Sequence, residues 1–167
     1  GSGNQGITVT MPILEYAKEY HIDDEKVRRA LVVANLISVH QKKYIGSLSA
    51  YCGATSAACA SAVGIAYMLG ESYEVICSVI TNAIATIGGM VCDGAKANCA
   101  AKAGMALHGA MQALALAEAG LGADEECGIV ARTAAETVWN VYRLAREGAG
   151  GTDRVLCRIE EEKQGGW

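Results

Sequence analysis

Gly88-Gly89-Met90-Val91-Cys92-Asp93-Gly94-Ala95-Lys96-Ala97-Asn98-Cys99 places two cysteines seven residues apart across a glycine-bearing turn, and an alanine-rich pattern follows directly. In that pattern Cys99, Ala103, Ala106, Ala110, Ala113 and Ala117 recur at spacings of four and three, with Gly104, Leu107, Met111 and Leu114 as a second stripe. The spacing predicts a helix over residues 95–119, capped by Asp93, held centrally among neighbours and carrying Cys99 at its N-terminal end. A third cysteine, Cys52 in Tyr51-Cys52-Gly53-Ala54, lies forty residues upstream and opens another Gly/Ala-rich helical pattern. Thiolates at helix starts, beside glycines that admit backbone amides, suit a soft metal or an iron–sulfur centre. The C-x6-C spacing itself matches none of the common zinc or ferredoxin patterns.

Working outward, the 167 residues fit one helical domain, 1–167, with enough chain to bury a core. Half the chain is apolar, yet it has no Phe, 5% aromatic residues and 20 Gly. Small side chains let helix backbones approach closely, so the expected fold is all-α, a tightly packed bundle of about six to seven helices. The single proline, Pro12, agrees with long uninterrupted helices.

A net charge of -4 argues against nucleic acid as a partner. Two stretches, residues 44–70 and 75–92, carry no charge and have membrane-spanning length. Their Ala, Gly, Ser, Thr, Cys and Asn content is weak for insertion, so enclosed helices of a bundle explain them better than a membrane does. No signal peptide or lipidation motif is read, which makes a cytoplasmic location the default. Seven cysteines in such a chain read as reduced thiols rather than a disulfide framework.

Taken in order, the chain first offers Gly1-Ser2-Gly3-Asn4-Gln5-Gly6, a loop by composition, whose small and amide residues also suit a carboxylate-wrapping nest. Thr10 is the expected cap of a first helix, with Pro12 in its first turn, running to Tyr20. Asp23 caps a second helix to about residue 43, with Asp24 and Glu25 at its positive end. Val27, Leu31, Ala34 and Ile37/Ser38 form its inner face, and Val32, Val33, Leu36 and Val39 broaden the apolar surface, so it is expected to be largely enclosed. A third helix over 50–69 has Ser49 as its cap, and a fourth starts at Glu71-Ser72 and stops at Gly88-Gly89. After the central helix, Asp124 caps another through Ala145, Gly148-Ala149-Gly150-Gly151 breaks the chain, and Thr152 caps a short last helix.

Several reactive side chains have plainer readings. Cys59 and Cys77 are expected in the core, as free cysteines usually are. His40 suits a helix end and His108 lies on a different face from Cys99, so both read as structural. Cys127, expected in the first turn of a helix, has no visible partner.

With the cysteines located, the chain resembles the C-terminal, helical part of the iron–sulfur L-cysteine desulfidase and L-serine dehydratase alpha-chain family. The matching pieces are Gly1-Ser2-Gly3-Asn4-Gln5-Gly6-Ile7, Lys42-Lys43-Tyr44-Ile45-Gly46, Ser49-Ala50-Tyr51-Cys52-Gly53-Ala54, Met90-Val91-Cys92-Asp93-Gly94-Ala95-Lys96 and Gly151-Thr152-Asp153. They run the length of the chain and lie closest to the desulfidase-like bacterial branch. Serine dehydratases place a longer insert before the third cysteine, so the Cys92-to-Cys99 spacing points away from them.

The resemblance implies a [4Fe–4S] cluster, prone to loss in air, on Cys52, Cys92 and Cys99. Its fourth iron would be open to a small amino acid substrate and act as a Lewis acid for β-elimination to pyruvate and ammonia. It also makes Ser2, Gly3 and Asn4 candidates for gripping that substrate. Family members are longer, and the cysteine regarded as the base in desulfidases belongs to their first half. The chain is therefore expected to be the cluster-ligand half, inactive without the N-terminal half or a companion subunit, and compatible with a homo-oligomer. Some serine dehydratases place a C-terminal cysteine on the fourth iron; here the sequence reads Gly165-Gly166-Trp167. Two other readings stand beside this one. In one, the three thiols hold structural zinc with Cys59, His40 or Asp93 as the fourth ligand; in the other, a metal-free helical scaffold simply buries its cysteines.

Overall fold

The computed structural model describes residues 3–46 and 49–165. Among them are seven α-helices: α1 (Gly3–Glu19), α2 (Asp24–Ile45), α3 (Gly53–Leu69), α4 (Tyr73–Ile87), α5 (Cys99–Glu118), α6 (Ala134–Arg143) and α7 (Gly150–Gly165), with a π turn, Leu144–Gly148, between the last two. The all-α bundle expected from the small-residue composition is the fold observed. Among the described residues no helix is long and apolar enough to cross a membrane.

The central helix is α3, not α5. It packs against α1, α2, α4 and α5, and thirteen of its seventeen residues are buried. Its charge-free sequence lets it be enclosed on every side, whereas α5 carries Lys102, His108, Gln112 and Glu118 and must leave a face to water. Close approach is what the glycines and alanines provide. A Cβ on Gly64 would lie 2.5 Å from Ile13 Cδ1, 3.0 Å from Ala34 Cβ and 3.2 Å from the Ala30 carbonyl. Gly109 of α5 admits Ile87 of α4 in the same way, since a Cβ there would collide with Ile87 Cγ2. The α5 stripe is buried at Ala106, Ala110, Ala113 and Ala117, joined by Gly109 and Leu114, while Gly104 faces out.

Capping explains most of the boundaries. Asp23 accepts from the Glu25 amide at 2.9 Å, and Ser72 accepts from Val75 at 3.3 Å. Gly70, at φ 87°, closes α3 in the left-handed conformation that only glycine takes freely. Asn82, buried in α4, holds the connection after α5: its amide donates to the Ala113 and Leu121 carbonyls, and its oxygen accepts from Ala123 N–H.

Other boundaries differ from expectation for identifiable reasons. Helix α1 starts at Gly3, seven residues before Thr10, whose hydroxyl donates back to the Gly6 carbonyl instead of capping. Ser49 accepts from the Tyr51 amide in a bend, and α3 starts only at Gly53. Asp124 organises an isolated turn, and α6 begins at Ala134 behind its cap Thr133, whose hydroxyl and Glu136 form a reciprocal capping box. The glycine run from Gly148 to Gly151 does not break the chain: the π turn passes into α7 there, with Thr152 inside the helix. Helix α2 buries a narrow row, Ala30, Ala34, Ser38, Gln41 and Ile45, against α3. Val32, Leu36 and Val39 are exposed, so α2 is not enclosed.

Candidate metal centre

The segments carrying Cys52 and Cys92 meet in an isolated antiparallel bridge between Tyr51 and Val91. The Cys52 amide donates to the Met90 carbonyl at 3.1 Å, and the Cys92 amide to the Ala50 carbonyl at 2.7 Å. Both thiols therefore sit on paired backbone, each one residue past the bridge. Cys52 is also the N-terminal flank of α3, and Tyr51 is buried behind it.

Cys99 is the first residue of α5. Its sulfur accepts from the Lys96 amide at 3.4 Å and lies 3.5 Å from the Gly94 carbonyl, inside a turn that Gly94 makes at φ 96°. Asp93 does not cap α5, which starts after Asn98 without a side-chain cap. Its carboxylate pairs with the Lys102 ammonium, which holds the Asp93 carboxyl below its usual range. The same ammonium donates to the Val91 carbonyl at 3.0 Å.

The Cys52 thiol is influenced by both of the other thiols. Burial pushes the Cys52 thiol up, the Ala54 backbone N–H opposes this, the Cys92 thiol pushes it up further, Lys102 pulls it down, and Cys99 adds to the rise. Lys102 in turn feels Asp93 first, then Cys52 and Cys92. Three sulfurs and one ammonium thus share a corner where the start of α3, the start of α5 and the residue 90–98 connection converge. The described cysteines are free thiols.

The other sequence candidates fall elsewhere. Ser2 lies outside the described residues. Gly3 and Asn4 form the first turn of α1 rather than a loop, and the Asn4 carbonyl accepts from the Thr8 hydroxyl. Gln5, in the same stretch of α1, reaches Gly53 beside Cys52. Its side chain donates to Ser38 and Ser56, and its Oε1 would lie 3.2 Å from a Cβ on Gly53, with Lys42 Nζ at 3.7 Å. Gln5 and Lys42 lie in two of the stretches that carry the resemblance, a signal that could have drawn attention to them, whereas Lys102 lies in none and had no motif to mark it.

The remaining cysteines stand apart. Cys59 is sealed in α3, takes a hydrogen bond from Gln41, and is pushed up to about 12 by burial. Cys77 is half-buried beside Tyr73 rather than in the core. Cys127 is exposed in the Asp124 turn, not in a helix, and its thiol donates to the Asp124 carboxylate at 3.3 Å. His40 stacks edge-on against Tyr44, and His108 is exposed. Among the described residues no three His, Cys, Asp or Glu side chains group closely enough to chelate a single ion.

The family model for the serine dehydratase alpha chain matches residues 1–158. A UPF0597 protein of Lachnoclostridium phytofermentans is 46% identical over 159 residues, which is 95% of this chain and 38% of the relative. Another of Treponema denticola is 44% identical, covering 95% of this chain and 37% of its own. A third, of Oleidesulfovibrio alaskensis, is 42% identical, covering 98% and 38%. The chain spans less than two fifths of the length of these curated relatives. No solved structure matches it.

Proposed function

The chain belongs to the serine dehydratase alpha chain family, and from that premise we propose that it is the thiol-bearing part of an iron–sulfur β-elimination lyase. Cys52, Cys92 and Cys99 hold a [4Fe–4S] cluster, and the substrate is a small β-substituted amino acid, L-cysteine or L-serine. The observation that carries this reading is the Tyr51–Val91 bridge, which joins two cysteine segments forty residues apart beside the turn that presents the third.

The donor set fits such a group. A cubane gives each thiolate its own iron, so it asks for sulfurs that ring a space rather than meet on one ion, and the lack of a single-ion site among the described residues is compatible with it. Zinc fits less well. Of its candidate fourth ligands, Cys59 is sealed away, Asp93 is engaged by Lys102 and His40 is stacked on Tyr44.

When bound, the cluster would supply an iron lacking a protein thiolate, a Lewis acid for the substrate's leaving group. The chain's own residues do the holding. The bridge and the Gly94 turn set the thiol spacing, the Ala54 N–H stabilises charge on the Cys52 sulfur, and Lys102 offsets the negative charge gathered there. Lys42, whose ammonium lies next to Gly53, is a cation at the corner that suits a substrate carboxylate. The α-proton acceptor belongs to a further domain or companion subunit. Loss of the β-substituent as sulfide or water then leaves an enamine that hydrolyses to pyruvate and ammonia.

The test is anaerobic reconstitution of the intact protein with iron and sulfide, followed by assay of pyruvate and sulfide from L-cysteine and of pyruvate from L-serine. About four irons per chain and a broad visible absorbance are expected, with turnover of at least one of the two substrates. A colourless, iron-free protein after reconstitution refutes the reading in favour of a metal-free scaffold.

A further inference from the structure

Resting on the cluster reading above, we infer that Lys102 is a positioning residue for the thiol centre: its ammonium clamps both flanks of Cys92 to the helix that begins with Cys99. Lys102 lies three residues into α5 from Cys99. From there Nζ donates to the Val91 carbonyl at 3.0 Å and pairs with the Asp93 carboxylate, the residues immediately before and after Cys92.

Among the described residues no backbone hydrogen bond ties the Cys92 flanks to α5, and the Lys102 side chain does so. The Cys52 and Cys92 segments are joined by two backbone bonds, Cys52 to Met90 and Cys92 to Ala50, neither of which involves α5. The six residues from Asp93 to Asn98 contain the left-handed Gly94, and within that loop the Cys99 sulfur meets only the Lys96 amide and the Gly94 carbonyl. The packing of α5 on α3 and α4 sets the helix that carries the third thiol, and Lys102 adds the polar contact that ties that helix to both flanks of Cys92. Its position argues the same way: a cation in the first turn of a helix opposes the macrodipole, so local helix stability does not account for it. The side chain is only 21% exposed, which restricts the ammonium more than a solvated surface pair would.

The experiment compares wild type, K102Q, K102R and D93N in the intact protein after anaerobic reconstitution. Iron and sulfide content, visible absorbance, air lifetime of the colour and cluster reduction potential are measured, with helical circular dichroism as the fold check. K102Q is expected to lose colour in air about tenfold faster than wild type, the scale seen when a residue supporting metal ligands is removed. K102R restores most of the lifetime. D93N shortens it while keeping the ammonium and removing a negative charge, so its potential rises, whereas the K102Q potential falls because a positive charge has gone.

Wild type that loads iron, with K102Q and D93N matching its content and lifetime, overturns this inference and leaves the cluster reading standing. Wild type that takes up no iron overturns both. Should K102Q lose its helical signal, D93N decides, and a D93N lifetime equal to wild type counts against the clamp.

Discussion

Cys92 donates its backbone N–H to the Ala50 carbonyl at 2.7 Å. Because that bond is made by the main chain, the Cys92 side chain can be changed without undoing the pairing that brings it to Cys52. The cluster reading is therefore separable from the fold. Cys92→Ser is expected to keep its helical signal and melting temperature within a few degrees, as for a half-buried conservative change of about 0.5 kcal/mol, while losing iron and visible colour. A C92S protein that retains both would sink the assignment of Cys92 as a ligand.

Two glycine-to-alanine changes should move stability in opposite directions. At Gly64 the new methyl would meet Ile13 Cδ1 at 2.5 Å and Ala34 Cβ at 3.0 Å. Overpacking of about 1–3 kcal/mol should outweigh the gain in helix propensity. At Gly104, on the exposed side of α5, nothing lies within 4 Å, so Gly104→Ala should stabilise by about 0.5–1 kcal/mol. Urea unfolding of the pair gives both signs in one experiment.

Asn82 joins α4 to the residues following α5 through three hydrogen bonds. Asn82→Ala strips the partners from two carbonyls and one amide, at a cost of about 1–3 kcal/mol. Hydrogen exchange should quicken first at Ala123, whose N–H is held at 2.8 Å by the Asn82 oxygen. Unchanged protection at that amide would show that the loop is held by something else.

The Cys59 thiol, pushed up to about 12 by burial, makes a signed prediction about alkali. An unfolded thiol ionises near pH 8.5, so between about pH 8.5 and 12 the unfolded chain has released a proton that the folded chain keeps. The unfolded state then binds fewer protons, and stability falls as pH rises, by about 1.4 kcal/mol per pH unit. Below that window both states hold the proton and the effect disappears. Cys52 and Tyr51 are shifted in the same direction. Cys59→Ala should therefore flatten, not abolish, the alkaline decline in unfolding free energy, measured from pH 8 to 10.5. Alkylation at pH 8 should reach exposed Cys127 and Cys157 long before Cys59.

The sequence made the helical class readable because small residues recur at helical spacing and Asp23 and Ser72 carry real capping chemistry. It misled where one residue type serves two local purposes. Thr10 was a plausible cap, but its hydroxyl prefers the carbonyl four residues back. Asp124 and Thr133 both resemble helix starts, and only the reciprocal bond from Glu136 distinguishes the true one. The choice of α3 over α5 as the centre depends on how many neighbours share a helix, which periodicity along one helix does not encode. Cys52, Cys92 and Cys99 could be named as a set from the resemblance. The bridge behind Cys52 and Cys92 is one residue pair long, too short to leave a strand pattern. Lys102 was invisible as a participant because its partners are a carbonyl and a carboxylate across a turn.

Helix α7 packs chiefly on the π turn, and Glu160 near its middle pairs with Lys96 in the loop between Cys92 and Cys99. That pair is partly exposed, so added salt should loosen the last helix from the rim of the corner.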